Sequence, residues 1–164
     1  MSNMKKTLAI LFAFLLVVPA FSFAQVSSSS LPNAGTLPDS PFYFLKTWKE
    51  SIQLFFTFNA KAKAEQYLHL ADVRLAEYQK MIEKGKQEIA DNTLAKYQDQ
   101  LKRATDKLDD LKTKGEDVKD LSQKVEDSVS KHLSVLQENL VKAPEAARKG
   151  LENALEASKK GIEK

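Results

Sequence analysis

A chain of 164 residues, 43 % hydrophobic and 29 % charged, has the length of a single domain. It contains no Cys, which excludes a disulfide framework, thiol catalysis and Cys-ligated zinc. Its formal charge of +3 includes Lys5 and Lys6 of the leader described next, so the remainder is nearly neutral and lacks the basic excess of a nucleic-acid binder.

Residues 1–24 have the three-part layout of a secretory signal peptide. Lys5 and Lys6 precede an unbroken apolar run from Leu8 to Val18, Pro19 ends it, and the small residues Ser22 and Ala24 place the cut before Gln25. The apolar stretch is shorter than the ~20 residues of a spanning helix and holds a proline, so no stable membrane span is expected after cleavage. The protein is therefore expected to be exported, to the periplasm or beyond the cell. Residues 25–38, with four consecutive serines, two prolines and a glycine, read as a flexible tether.

From residue 39 to 164 the chain predicts an all-α antiparallel bundle of about five helices. Ser40 and Pro41 open the first, running to about Phe58. Asn59 caps a second over 60–84, stopped by Gly85. A third covers about 89–114 and stops at Gly115, a fourth 116–142, and Pro144 opens a short fifth. No segment alternates as a strand would.

Seven of the ten aromatic residues beyond the leader fall in the first helix: Phe42, Tyr43, Phe44, Trp48, Phe55, Phe56 and Phe58. A buried aromatic contributes about 1.5 to 3 kcal/mol, so helices one and two are expected to form the stable core, with Lys46, Lys49 and Glu50 as the polar edge of a half-buried helix. Left exposed, the same residues would make an apolar patch suited to lipid or a partner. The second helix carries Ala64, Leu68, Ala71, Leu75, Tyr78 and Ile82 on one face and Leu70 and Val73 on the other, and is expected to pack on both sides.

In the third helix Leu94, Tyr97, Leu101, Ala104, Leu108 and Leu111 recur at steps of three and four, the seam of a coiled-coil-like contact. Val118, Leu121, Val125, Val129, His132, Leu136 and Leu140 repeat it in the fourth. Two seams about Gly115 predict an antiparallel hairpin ~40 Å long, the alternative being one continuous helix. The fifth helix offers the small stripe Ala147, Leu151, Ala154, Ser158 and Ile162.

The candidate chemistry is sparse. His69 has Glu65 four residues before it and Asp72 three after, so one imidazole and two carboxylates can share a helix face and coordinate a divalent cation. His132 is the further candidate ligand, though its place on a seam suits a buried, hydrogen-bonded ring. Asp106, Asp109, Asp110, Glu116, Asp117 and Asp120 gather about Gly115, but they lack the spacing of an EF-hand loop and Lys107, Lys112, Lys114 and Lys119 are interleaved. There is no nucleophile elbow, zinc-protease motif or phosphate-cradling loop, so neither catalysis nor a cofactor is expected.

Leu37-Pro38-Asp39-Ser40-Pro41-Phe42-Tyr43-Phe44-Leu45-Lys46, then Phe55-Phe56-Thr57-Phe58-Asn59 and Arg74-Leu75-Ala76-Glu77, followed by Lys131-His132-Leu133 with Val135-Leu136 and Ala143-Pro144-Glu145-Ala146-Ala147, form a distinctive set. The set resembles a family of exported bacterial and archaeal helical domains, domain of unknown function 5667. The resemblance covers about Leu37 to the end and implies an extracytoplasmic helical domain with no activity to transfer. Members often have proline after the Asn or Asp cap, where this chain has Ala60. The leading expectation is a non-catalytic envelope or extracellular module that meets a protein partner or another copy. The alternatives are a metal-binding or metal-sensing helical protein and a small envelope chaperone.

Overall fold

The computed structural model describes residues 31–161. The leader, residues 25–30 of the tether and Ile162 lie outside them. The described residues form five helices and no strand: α1 (Tyr43–Phe55), α2 (Ala60–Glu83), α3 (Gln87–Thr113), α4 (Lys119–Lys142) and α5 (Glu145–Lys160). The chain is an all-α bundle, as its periodicities predict.

Local chemistry sets the boundaries. The Asn59 side chain accepts from the Ala62 N–H at 2.9 Å, so the cap forms with Ala60 following it. Both glycine stops work by the same device. Gly85 (φ +69°) and Gly115 (φ +74°) adopt the left-handed conformation. Gly85 N–H then bonds to Ile82 O and Lys86 N–H to Met81 O, both at 2.9 Å, while Gly115 N–H bonds to Lys112 O at 2.9 Å and Glu116 N–H to Leu111 O at 3.1 Å. This pair of reversed bonds satisfies the last free carbonyls and turns the chain, so no helix continues through Gly115. The α4 start falls three residues later than expected because Asp117 Oδ1 takes the Lys119 N–H at 3.2 Å.

The seams are buried as their spacing requires. All six seam residues of α3 are in the core, joined by Leu121, Val125, Val129, His132 and Leu136 of α4 and by Ala147, Leu151, Ala154 and Ser158 of α5. The most extensive helix contact is α2 against α3, not the expected hairpin of α3 and α4, which touch only slightly. The seam of α4 meets α5 and α2 instead, because the α2 face Ala64, Leu68, Ala71, Leu75 and Tyr78 takes most of the α3 seam. The core cluster and the hydrophobic residues packed against it all lie between Leu31 and Leu155.

Two expectations are corrected here. Residues 31–38, read as tether, lie against the bundle: Leu31 and Leu37 pack on the core and Ala34 is buried. The aromatic first helix is not core. No residue of α1 is buried, and Trp48 is 65 % exposed, Phe55 71 % and Phe58 85 %. Among the described residues the aromatics in the interior are Tyr78 and Tyr97, both of which their spacing places on packing faces.

Candidate functional site

The orientation of α1 follows from two charged residues on α2. Arg74 and Glu77 are both buried, between Val73, Leu75, Ala76 and Tyr78, and a buried charge demands partners. Arg74 Nη1 donates to Glu77 Oε1 at 2.9 Å. The remaining partners come from α1 at positions i, i+3 and i+7: the Tyr43 hydroxyl donates to Glu77 Oε2 at 2.8 Å, Lys46 Nζ pairs with Glu77 Oε1, and Glu50 pairs with Arg74 Nη2. Two cations and two anions make the set neutral.

Lys46 also donates to the Ala34 carbonyl, and more weakly to Thr36 O at 3.4 Å, which ties segment 31–38 to the same cluster. Lys96 of α3 lies 5.3 Å from the Tyr43 ring centroid, a cation–π contact. Burial pushes the Tyr43 hydroxyl well above its ordinary range. For Arg74 burial opposes the charge, but the Glu50 hydrogen bond and the field of Glu77 outweigh it and hold the guanidinium above its ordinary value. Lys46 and Glu50, expected to form an outer polar edge, thus point inward.

With the polar stripe turned to α2, the opposite side of α1 must face out. At 100° per residue Phe44, Trp48 and Phe55 form one row, and Leu45, Ile52 and Phe56 the next; each is exposed. Phe42 and Phe58 extend the patch at either end. Ser51, within it, is satisfied by Thr47 O at 2.9 Å. Phe55 and Phe56 stack edge to face at 5.2 Å, fixing the rim of the patch near the turn into α2. Behind α1 a cleft of about 550 Å³ opens against segment 33–36 and α2, with Lys49, Gln53, Gln66 and His69 among its lining.

The proposed metal ligands are not brought together. Among the described residues no three His, Asp or Glu side chains are placed to share a cation. Glu65 reaches across to Lys124 of α4 at 2.5 Å, while His69 is exposed at the cleft beside α1. Asp72 and His132 do meet, with Nε2 to Oδ1 at 2.5 Å. The carboxylate fits the tautomer in which Nε2 carries the proton and donates. Nδ1 is then a buried acceptor with no partner among the described residues. Tyr97 stands edge-on to the imidazole at 5.1 Å, and its hydroxyl meets Ser158 Oγ at 2.6 Å, so the ring is enclosed by a polar thread from α2 to α5. Burial pushes the Tyr97 hydroxyl well above its ordinary range. This is the buried, hydrogen-bonded seam histidine that the spacing also allowed, held through Nε2 alone. The acidic tip about Gly115 is laced with lysines, Lys102 to Asp106 at 2.5 Å and Lys107 to Asp110 at 3.3 Å.

The cluster of Tyr43, Lys46, Glu50, Arg74 and Glu77 has no counterpart among the expected sites. Its signal in the sequence is an Arg and a Glu three apart inside an otherwise apolar stretch of α2, and a polar stripe at 43, 46 and 50 in an otherwise aromatic helix. No curated protein and no solved structure matches the chain. The family model described as domain of unknown function (DUF5667) matches residues 35–160, a span that takes in the charge cluster, the aromatic face and the His132 seam, and the chain belongs to that family.

Proposed function

We propose that the protein is a non-catalytic helical interaction module that works outside the cytoplasm, and that the outward face of α1 is its contact surface. One observation carries this reading: a short helix is fastened to the bundle by its polar stripe, leaving Phe44, Leu45, Trp48, Ile52, Phe55 and Phe56 exposed. Burying such a patch on a partner recovers about 25 cal/mol per Å² of apolar area, and monomers seldom leave one uncovered without use. Export is supported by the layout of residues 1–24, and a non-catalytic role by the lack of a nucleophile elbow, zinc-protease motif or phosphate-cradling loop in the sequence.

The test is capture on beads of components from a bacterial envelope fraction by the processed chain, beginning at Gln25, beside a variant carrying Phe44→Ser, Phe55→Ser and Phe56→Ser. Capture by the parent and loss in the equally folded variant is the expected result. Equal capture by both, or none by either, would refute the assignment. Recovery of the full-length product only from the cytoplasm, with residues 1–24 still attached, would refute the extracytoplasmic part.

A further inference from the structure

We infer that the occupant of the α1 face is the interface of an anionic lipid bilayer, with α1 lying in its plane. The inference rests on the contact-surface reading above and names its partner.

Length sets the mode of contact. Thirteen residues rise about 20 Å, well short of a bilayer core, and among the described residues no helix is long and apolar enough to cross a membrane. A helix of this kind with one aromatic face settles at the headgroup boundary, where Trp is favoured and Phe and Leu reach the first acyl carbons.

Charge selects the lipid. From residue 40 to 63 the charged residues are Lys46, Lys49, Glu50, Lys61 and Lys63. Lys46 and Glu50 are consumed by Glu77 and Arg74. The three that remain are all lysines, and none has an ion-pair partner among the described residues. Lys49 stands beside Leu45 and Ile52, and Lys61 and Lys63 follow Phe58 in the first turn of α2. Their stems can lie along apolar surface while the ammoniums reach phosphates, the arrangement of a basic interfacial helix.

A second copy docking by the same face would set Lys49 against Lys49 with no free carboxylate on α1 to pair either, since Glu50 is held by Arg74 and a twofold contact pairs a surface with itself. An acidic protein would complement the charge. Yet the hollow in the face, between Phe44, Leu45, Thr47, Trp48 and Ser51, is shallow and open, and the Thr47 and Ser51 hydroxyls donate within their own helix, so it lacks an enclosed groove and the free hydrogen-bonding groups that protein interfaces supply about once per 100 to 200 Å². A fluid interface needs neither.

Trp48 is the only tryptophan and lies mid-face, so it reports directly. The processed chain, which keeps the whole core, is titrated with vesicles of phosphatidylglycerol and phosphatidylcholine, then with phosphatidylcholine alone. The expected result is a blue shift of Trp48 emission on the anionic vesicles, with quenching by brominated acyl chains. Affinity should fall at least about tenfold when Lys49, Lys61 and Lys63 become Gln, and binding should vanish in the Phe44→Ser, Phe55→Ser, Phe56→Ser variant. The Gln variant changes one exposed and two half-buried lysines that make no ion pair among the described residues, and keeps the test open if the other folds poorly.

Unchanged Trp48 emission on anionic vesicles would overturn the inference, as would a blue shift that follows protein concentration without lipid, the signature of a second copy. Face-dependent capture of an envelope protein with no vesicle response would remove the lipid and leave the contact surface standing. Trp48 already shielded in the lipid-free monomer would remove both.

Discussion

Glu77 is the residue on which the position of α1 turns. It is fully buried, and its two oxygens take the Tyr43 hydroxyl, the Arg74 guanidinium and the Lys46 ammonium. Replacing it with Ala leaves the buried guanidinium with Glu50 alone and the largely buried ammonium with no carboxylate. The expected cost is about 3 to 5 kcal/mol, read as a lower midpoint in urea, together with release of α1 seen by amide exchange. Tyr43→Phe removes a single bond to the same carboxylate and is expected to cost only about 1 to 2 kcal/mol. None of this is visible in the spacing of α2 alone. An Arg and a Glu three residues apart look like a solvated surface pair until the apolar residues on both sides bury them.

Asp39 performs a similar service at the surface. Hydrogen bonds from Lys84 (2.8 Å) and Lys86 (2.7 Å) hold its carboxyl down at about 2, below the ordinary 3.8. A carboxylate depressed by folding favours the folded state above its unfolded pKa, and that contribution disappears as pH falls through the folded one. The attachment of residues 36–39 to the α2–α3 turn is therefore expected to hold from neutral pH down to about 4 and to be lost between about 4 and 2. Acid titration followed by NMR on the amides of this segment checks it, and Asp39→Asn should loosen the segment already at neutral pH.

At the scale of elements, the turns were legible because their chemistry is local. Gly85 and Gly115 close their helices with the same reversed bonds, and an added Cβ at either meets nothing within 4 Å. The penalty of Gly115→Ala is therefore one of backbone conformation alone, about 1 to 2 kcal/mol by thermal unfolding, with no change in the fold. The leucine seams of α3 and α4 were legible for the same reason, since a period of three and four exposes a stripe. Which helix each stripe meets is a long-range matter: α2 presents the widest apolar face and takes α3, leaving α4 to α5. The first helix shows the limit of periodicity most clearly. Its pattern reveals two faces, one aromatic and one polar, but not which of them turns inward. Hydrophobicity alone favours the aromatic side, and the buried charges of Arg74 and Glu77, which need further partners, decide for the other.

At the scale of the molecule, the bundle closes its interior with residues of α2 to α5, α1 is fastened outside it by polar bonds, and residues 31–39 are held both by Leu31 and Leu37 on the core and by polar bonds. The pair of His132 and Asp72, sixty residues apart, belongs to the interior and joins α4 to α2; both residues were legible as candidates, but for a metal rather than for each other. The family match over residues 35–160 takes in α1, and the functional proposal depends on the outward orientation of its aromatic side in this chain. Acrylamide quenching of Trp48 in the dilute, lipid-free, monomeric protein examines it most directly. An outward-facing Trp48 gives solvent-like emission and quenching close to that of a free indole; a blue emission protected from acrylamide would place Trp48 in the interior and contradict that orientation.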